Sequence, residues 1–517
     1  MKVLFVYPSW TGEYGIIAHF AKRAGVYPPL NLALLAAIAE GHDHEAQIID
    51  AEVNGIPLSK LIPLAMAQKA ELIALTGKSP FFHLSRDFAI GVKKAGCRIP
   101  IVIGGPHITI MKEEAFHPAF DYGVVGECED TLPEFLDRLE KGKDISDIEG
   151  ILYRDKGEVR FTGKHIYHRR LDELPFPARH LLPMHQYRMG TLEGRKNFTS
   201  IQTIRGCPWK CIFCASEALN TTSVGKRSPQ SVINEIKQVM QQFNIRHFMI
   251  VDDVLTLDRN HITEICDLIL RERLKITFEG STRANLLDET LVKKMKEAGL
   301  IRLSFGLETV DSEMRKTMKK KVPLQYYTRA NELLAQYDIE ALNSVMLGLP
   351  GETRATVKKT LDFLRSDRNV KQANFAIAVP YPGTEFHEIA KSEQMGVKLM
   401  TEDFSQYRRY GSAVTTVNDL TPEELIELQN EGFVSIYSAP WRWRSMLRKH
   451  GLIGGVLMLL RVIKLAGVKA LGRYKVIRQL PFMHYFFKPK RYKPISIGGL
   501  PPFPSSEHKV MVAEVTH

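Results

Sequence analysis

Cysteine is scarce in this chain: there are six in 517 residues, three of them within eight positions and the others scattered. So sparse a set excludes a disulfide-stapled fold, and clustered thiols in an otherwise cysteine-poor chain point to a metal in a reducing compartment. Long apolar runs are also lacking. The most apolar stretch of the C-terminal third, Gly451 to Leu460, meets Arg461 well short of the roughly 18 to 20 residues a bilayer span needs. The amino terminus, Met1-Lys2-Val3-Leu4-Phe5-Val6-Tyr7-Pro8, has one charge and no small-residue cleavage site, so it reads as a first strand and not as a secretory signal. A cytoplasmic protein without a transmembrane helix is expected. Acidic residues are missing from one segment: Trp441 to Lys493 holds 14 Lys and Arg and no Asp or Glu. With that segment set aside the chain is nearly neutral, so the net charge of +12 is local and no nucleic-acid partner is expected.

What is present is the composition of an ordered globular protein, 44% hydrophobic and 25% charged, which excludes wholesale disorder. Short apolar runs alternate with helical periodicity from residue 1 to 143. Lys2 to Tyr7, Ala46 to Asp50, Leu72 to Leu75, Ile101 to Ile103 and Tyr122 to Val125 read as strands, with helices over Leu30 to Glu40, Leu58 to Lys69, His83 to Ala95 and Thr131 to Lys141. This repeat predicts an open parallel Rossmann-like sheet with ligands beyond the strand carboxyl ends, where Thr76-Gly77-Lys78-Ser79, Gly104-Gly105-Pro106-His107 and Gly126-Glu127-Cys128-Glu129 stand. Glycines there allow backbone to approach a bulky ligand closely.

Residues 144–198 read as a connector, with a hairpin turn at Asp155-Lys156-Gly157-Glu158 and the stiff Leu174-Pro175-Phe176-Pro177. A second βα series fills 199–390, with strands at Ser200 to Ile204, His247 to Asp252, Ile276 to Ser281, Ile301 to Phe305, Ala341 to Leu347 and Asn374 to Val379. Six such units predict a partial (β/α)6 barrel with its chemistry at the strand carboxyl ends. Residues 391–517 read as mostly helical, then basic.

The first strand of the second series ends in Arg205-Gly206-Cys207-Pro208-Trp209-Lys210-Cys211-Ile212-Phe213-Cys214. Thiolates at Cys207, Cys211 and Cys214 suit three corners of a 4Fe–4S cluster and leave the fourth iron without a protein ligand. Zinc with a distant ligand such as His185 is the alternative, although structural zinc usually has paired Cys-x-x-Cys knuckles. A structural electron carrier is another.

This motif resembles the radical S-adenosylmethionine (radical SAM) superfamily, whose CxxxCxΦC signature is matched with Phe213 before the last cysteine. The resemblance implies that SAM chelates the open iron and is cleaved reductively to a 5′-deoxyadenosyl radical. It also implies SAM contacts at Phe213, at Asp252 and Asp253 after the second strand, at Ser281 and Arg283 after the third, at Glu308 after the fourth and at Gly348 in Gly348-Leu349-Pro350-Gly351-Glu352-Thr353. The Gly-Gly-Glu form usual after the second strand is absent. Pro380-Tyr381-Pro382-Gly383-Thr384 closes the sixth unit.

The sheet of residues 1–143 is similar to the cobalamin-binding domain that precedes the barrel in the B12-dependent subclass. By that resemblance Thr76, Gly104, Gly105, His107, Gly126 and Glu127 are the candidate cobalamin contacts. The Asp-x-His-x-x-Gly signature of a histidine lower ligand is absent, for His42 and His44 have no such context.

The resemblance implies a methyltransferase acting on an unactivated carbon of a hydrophobic substrate, hopanoid lipids being the first named class, with flavodoxin or ferredoxin as the reducing partner. The alternative is a ring-forming oxidoreductase of the tetrapyrrole cyclase type. A transfer-RNA methylthiolase would carry a second cysteine triad in the first domain, where only Cys97 and Cys128 occur. A noncatalytic sensor would not need the full series of SAM-binding motifs. The basic segment, with Trp441, Trp443 and Phe486 among its cations, suits peripheral attachment to the inner face of an anionic membrane, or a solvated helical face.

Overall fold

The computed structural model describes residues 1–10, 26–164, 167–191 and 194–437 and, beyond these, residues 439, 441–443, 447 and 456. Strands β1 (Lys2–Tyr7), β2 (Glu45–Asp50), β3 (Leu72–Thr76), β4 (Ile101–Gly104) and β5 (Tyr122–Val124) form a parallel sheet in the order β2-β1-β3-β4-β5. The two-residue pleat divides its side chains between two cores. Leu4, Val6, Ile73, Leu75, Ile101 and Ile103 pack with Leu61, Ala65, Phe88 and Val92 of helices Leu58–Met66 and Phe82–Lys94. Val3, Phe5, Leu72, Ala74 and Val102 pack on the other face with Leu32, Ala36, Phe135 and Leu136 of helices Leu30–Glu40 and Leu132–Glu140. A sheet covered on both faces has no polar side to its strands, which is why Val3-Leu4-Phe5-Val6 is uninterrupted.

The hairpin expected at 155–158 belongs to this sheet and not to a free connector: β6 (Ile151–Asp155) pairs antiparallel with β5, and β7 (Glu158–Phe161) with β6. Lys156 and Gly157 both have positive φ, 48° and 88°, the backbone of a tight turn that matches strand twist.

The second sheet begins with an antiparallel hairpin, β8 (Arg188–Thr191) and β9 (Gly194–Ile201), that the sequence pattern did not reveal. A short ladder of β10 (Ile204–Arg205) with β11 (Gly225–Lys226) brackets the cysteine loop. Parallel strands β12 (His247–Ile250), β13 (Thr277–Thr282), β14 (Leu300–Glu308), β15 (Glu340–Leu347) and β16 (Gln372–Ile377) follow β9 in sheet order as in sequence. Among the described residues β16 does not pair back to β9, so six parallel strands make a curled half-barrel. Phe278, Leu303, Phe305, Ala341 and Val345 pack against helices through Ile262, Leu291, Leu334 and Leu361. On the opposite face strand register sets Glu279, Arg302 and Glu340 side by side, one layer below Ser281, Ser304 and Leu342.

Residues 391–437 are less helical than expected. They hold β17 (Val397–Leu399), β18 (Thr415–Val417) and the helix Pro422–Tyr437, whose Leu425, Leu428 and Ile436 enter the barrel core. The stretch around Arg409 covers the edge of β16, with the Ile377 N–H donating to the Arg409 carbonyl at 2.9 Å.

Most of the basic segment lies outside the described residues. Of its described members, Arg442 is fully buried and donates to the carbonyls of Val370, Ile436, Leu364 and Asp367, so it caps helix ends and is not available to a lipid headgroup. The Trp443 indole N–H is likewise engaged by the Tyr437 carbonyl at 3.0 Å, while Trp441 stays exposed. Among the described residues no helix is long and apolar enough to cross a membrane.

Candidate active site

The cysteine loop leaves β10 at the strand carboxyl ends, and its shape is fixed before any ligand is considered. Gly206 has φ +98°, and a Cβ there would collide with the Ser223 carbonyl, so glycine is required. Ile212, 2% exposed, plugs the loop into an apolar cluster with Met314, Met318, Leu349 and Phe386. The Cys214 N–H donates to the Cys211 carbonyl at 2.9 Å. All three cysteines are partly exposed free thiols. Two cations hold the loop by its aromatic rings: the Arg283 guanidinium lies 4.1 Å from the Trp209 ring centroid and the Lys320 ammonium 5.9 Å from that of Phe213.

The remaining expected SAM contacts divide in two. Asp252 is buried and faces the chain, accepting from the Thr203 N–H at 2.7 Å, the Ile204 N–H at 3.0 Å and the Thr203 hydroxyl. It therefore braces the strand that launches the cysteine loop, and burial pushes its carboxyl up to about 6. Asp253 is accessible, accepts from the Ser216 hydroxyl at 2.9 Å and lies in the field of Cys207 and Cys214. Ser281 is accessible. Glu308, with φ +59° at an irregularity of β14, is committed to a buried ion pair with Lys320 at 2.7 Å. Gly306 leaves the room that this pair fills. Gly348, φ +87°, turns its N–H to the buried Glu352 carboxylate.

Two buried arginines mark where an anionic ligand fits. Arg283 Nε, and Arg315 Nε and Nη2, are enclosed with no hydrogen-bond partner, although Arg315 also meets the Tyr327 ring at 5.0 Å. Enclosed N–H donors without acceptors are costly unless a ligand supplies them, and a carboxylate is the natural acceptor. Among the described residues no three His, Cys, Asp or Glu side chains are gathered tightly enough for a single metal ion, His185 included. Thiolates on separate corners of a cube need not converge so closely.

At the first sheet, the expected cobalamin contacts cluster at the carboxyl ends of β3 to β5. A Cβ at Gly104 would meet only the Leu75 carbonyl oxygen, at 4.0 Å, so this glycine is not demanded by protein packing. Gly105, φ +95°, has a different reason: a Cβ there would strike Thr76 Oγ1 and the Gly77 backbone, so this glycine lets two protein loops close on each other. His107 is packed between the rings of Phe82 and Phe404, at 4.4 and 4.8 Å, with Nδ1 3.0 Å from Ser79 Oγ. Burial lowers it to about 4, so it is neutral at ordinary pH. Gly126 donates its N–H to Thr109 Oγ1 at 3.0 Å. Glu127 is spoken for by Arg169 and Arg205 at 3.3 and 3.2 Å, and its neighbour Glu129 takes Arg205 at 2.8 Å. His44 sits at the amino end of β2, bonded to the Met1 amino group at 3.1 Å, far from these loops.

Arg205 thus ties the loop after β5 to the start of the cysteine loop. The sequence matches the radical SAM superfamily over residues 201–364 and the B12 binding domain over residues 17–136. The chain belongs to the cobalamin-dependent radical SAM enzymes. Its cofactors are a 4Fe–4S cluster, SAM and cobalamin. An uncharacterized methyltransferase of Pyrococcus horikoshii is 29% identical over 88% of this chain and 96% of its own. An anaerobic magnesium-protoporphyrin IX monomethyl ester cyclase of Rubrivivax gelatinosus is 26% identical over 79% of this chain and 72% of its own. A hopanoid C-3 methylase of Methylococcus capsulatus is 27% identical over 71% and 68%. Among solved structures, the radical SAM methyltransferase TsrM of Kitasatospora setae, with cobalamin and a 4Fe–4S cluster bound, has the same fold: TM-score 0.68, 17% identity, 90% of this chain and 99% of that one covered.

Several residues of this radical SAM enzyme's site were hidden in its sequence. Lys320 stands in Lys319-Lys320-Lys321, which reads as a solvated basic run, and only the packing shows that its middle member is buried on Glu308. Arg315 and Arg205 gave no signal beyond their charge.

Two predictions arise here. Arg205→Gln removes the main contact between the cobalamin-side and cluster-side loops, and at 12% side-chain exposure the loss should cost on the order of 3 kcal/mol. The dipolar coupling between cob(II)alamin and the reduced cluster, read by electron paramagnetic resonance, should broaden in Arg205→Gln and be partly restored in Arg205→Lys. An unchanged spectrum would show that other contacts set the spacing. Burial pushes the Glu352 carboxyl from 4.5 to about 7. Because the folded value is the higher one, the protonated acid's stabilisation is full below about pH 4.5 and is lost as the pH rises through about 7. Glu352→Gln should therefore flatten the fall in melting temperature between pH 5 and 8; a parallel fall in the variant would place the titration elsewhere.

Proposed function

We propose that this radical SAM enzyme transfers a methyl group to an unactivated carbon of a hydrophobic substrate. The observation that carries the reading is the seam itself, where the cobalamin-side loops of one domain and the cysteine loop of the other are joined through Arg205. When bound, the cluster with SAM supplies hydrogen abstraction from the substrate and cobalamin supplies the methyl group. Cys207, Cys211 and Cys214 would hold three irons. Arg283 and Arg315 would hold the SAM carboxylate, Asp253 and Ser281 its other polar groups, and the Gly348 turn its adenine side. Asp252, Glu308 and Lys320 act on the loop from behind by fixing its position. Thr76, Gly104, Gly105 and Gly126 would bound the corrin, and His107, neutral and already bonded to Ser79, would face it as a packed ring. The reducing partner would be a small electron carrier such as flavodoxin or ferredoxin.

Hopanoid lipids are the first candidate substrates, since one matched relative is a hopanoid methylase. The second reading, ring formation on a tetrapyrrole, is favoured by the match to a cyclase over 79% of this chain. Deleting the gene and comparing extracted lipids and pigments by mass spectrometry separates them. A compound lighter by one CH2 supports methyl transfer; accumulation of a porphyrin ester would replace it with the cyclase reading. The basic segment Trp441 to Lys493 would attach the enzyme peripherally to an anionic membrane. Sedimentation with anionic and neutral vesicles at low salt tests it, equal binding to both counting against it.

A further inference from the structure

Pro380-Tyr381-Pro382-Gly383-Thr384 closes the sixth barrel unit, and its glycine stands where three segments meet. Gly383 has φ +78°. A Cβ there would lie 3.0 and 3.1 Å from Ile110 Cγ2 and Cδ1 and 3.1 Å from Ala218 Cβ. Ile110 belongs to the helix Pro106–Met111, which leaves the cobalamin-side loop at Gly105. Ala218 belongs to the helix Ser216–Asn220, which starts two residues after Cys214. The two helices that begin at the two cofactor loops therefore pack on each other, with Gly383 closing the contact.

Each part of this contact is held in place. Thr109 Oγ1 accepts from the Gly126 N–H at 3.0 Å, which ties the first helix to the loop after β5, and Ile108 beside Ile110 is fully buried. In the second helix the Ser216 hydroxyl donates to Asp253 at 2.9 Å, and the Asn220 carbonyl accepts from Arg169, whose guanidinium also reaches Glu127. The Gly383 turn is closed by the Thr384 hydroxyl, which donates to the Tyr381 carbonyl at 2.7 Å. It is fastened to the cysteine loop by the Phe386 N–H, which donates to the Ile212 carbonyl at 2.9 Å. Arg169 and Arg205 draw Glu127 of the cobalamin-side loop toward the cluster side. Attraction by itself sets no distance. A close-packed contact does, because packed side chains yield little when pressed together.

We propose that Ile110, Ala218 and Gly383 are positioning residues, the stop at which the cobalamin-side domain rests against the cluster-side loop and which sets the separation of the two cofactors. Ion pairs pull the loops together on one side of the seam, and this contact limits the approach. Alanine at 218 and glycine at 383 allow the helices to come this close, and bulk added at either place holds the domains apart.

The test needs neither a substrate nor methyl transfer, so it can fail independently of the methyl-transfer reading. Enzyme loaded with cluster and cobalamin is reduced, and the dipolar coupling between cob(II)alamin and the reduced cluster is read by electron paramagnetic resonance, per molecule holding both groups. Ala218→Leu should shift the coupling to a weaker value while iron content and cobalamin affinity stay at the wild-type level. Adding Ile110→Ala, which removes the bulk that leucine brings, should return the coupling to the wild-type value, since swaps that conserve volume are tolerated best. Ala218→Val serves in the same comparison if the leucine variant does not load. Unchanged coupling in the enlarged variant would overturn the proposal. So would a weakened coupling that Ile110→Ala does not restore, which would mean a disturbed loop and not a stop, or a wild-type spectrum in which the two groups do not interact.

Discussion

Replacing Cys207, Cys211 and Cys214 by alanine should abolish iron binding and reductive SAM cleavage together. The wild-type enzyme, reconstituted anaerobically, should hold about four irons per chain; the triple variant should hold none above background and form no 5′-deoxyadenosine. The two losses would be coupled because the cluster that Cys207, Cys211 and Cys214 would hold would serve both to bind SAM and to reduce it. Each single variant should lose most of the activity as well, since two thiolates cannot hold the cube against exchange. The loop itself should survive, for its shape rests on Gly206, on Ile212 in its apolar cluster and on the Asp252 brace, none of which uses a thiol. Near-wild-type melting with lost iron is therefore the expected pair of results. SAM cleavage by the triple variant, or a wild-type protein that retains zinc alone, would remove the assignment of the cysteines.

Arg302→Met should destabilise the barrel by about 3 to 5 kcal/mol, the largest expected effect on stability. Burial disfavours the Arg302 charge, but Glu279 and Glu340, at 2.6 and 2.7 Å, raise its affinity for the proton above the ordinary value. Removing the arginine leaves two enclosed carboxylates, one of which also meets His247 at 3.0 Å. The loss should be read as a shift in urea midpoint, and most of it should be regained when Glu279→Gln and Glu340→Gln are added, because the uncompensated charge then disappears with its partner. A loss under about 1 kcal/mol in the single variant would mean that water already reaches this layer.

The strands of the first sheet were legible because parallel strands covered on two faces must be apolar along their length; those of the second keep an apolar face toward their helices, and the observed bounds differ from the expected ones mostly by a residue or two. Three features escaped. The β8–β9 hairpin carries no clear alternation, and the β6–β7 hairpin read as a connector because nothing local says which edge a hairpin joins. Arg442 read as a surface cation of a basic tail, although it is a buried cap for four carbonyls.

The cysteine spacing by itself pointed to a metal or cluster site, because three thiols at those intervals on one loop act through local geometry that the rest of the chain need only support. The repeat of βα units likewise determined two parallel sheets and the ends at which their ligands lie. Only the tertiary structure decided which charged residue has which task. Asp252 and Asp253 are adjacent in sequence, yet the first braces the chain and the second stays accessible beside Ser216; Glu308 pairs inward with Lys320; Glu127 and Glu129 clasp Arg205 across the domain seam. A charge is read from sequence as a charge only. Its role depends on whether the fold brings a counter-charge to it or leaves that place for a ligand.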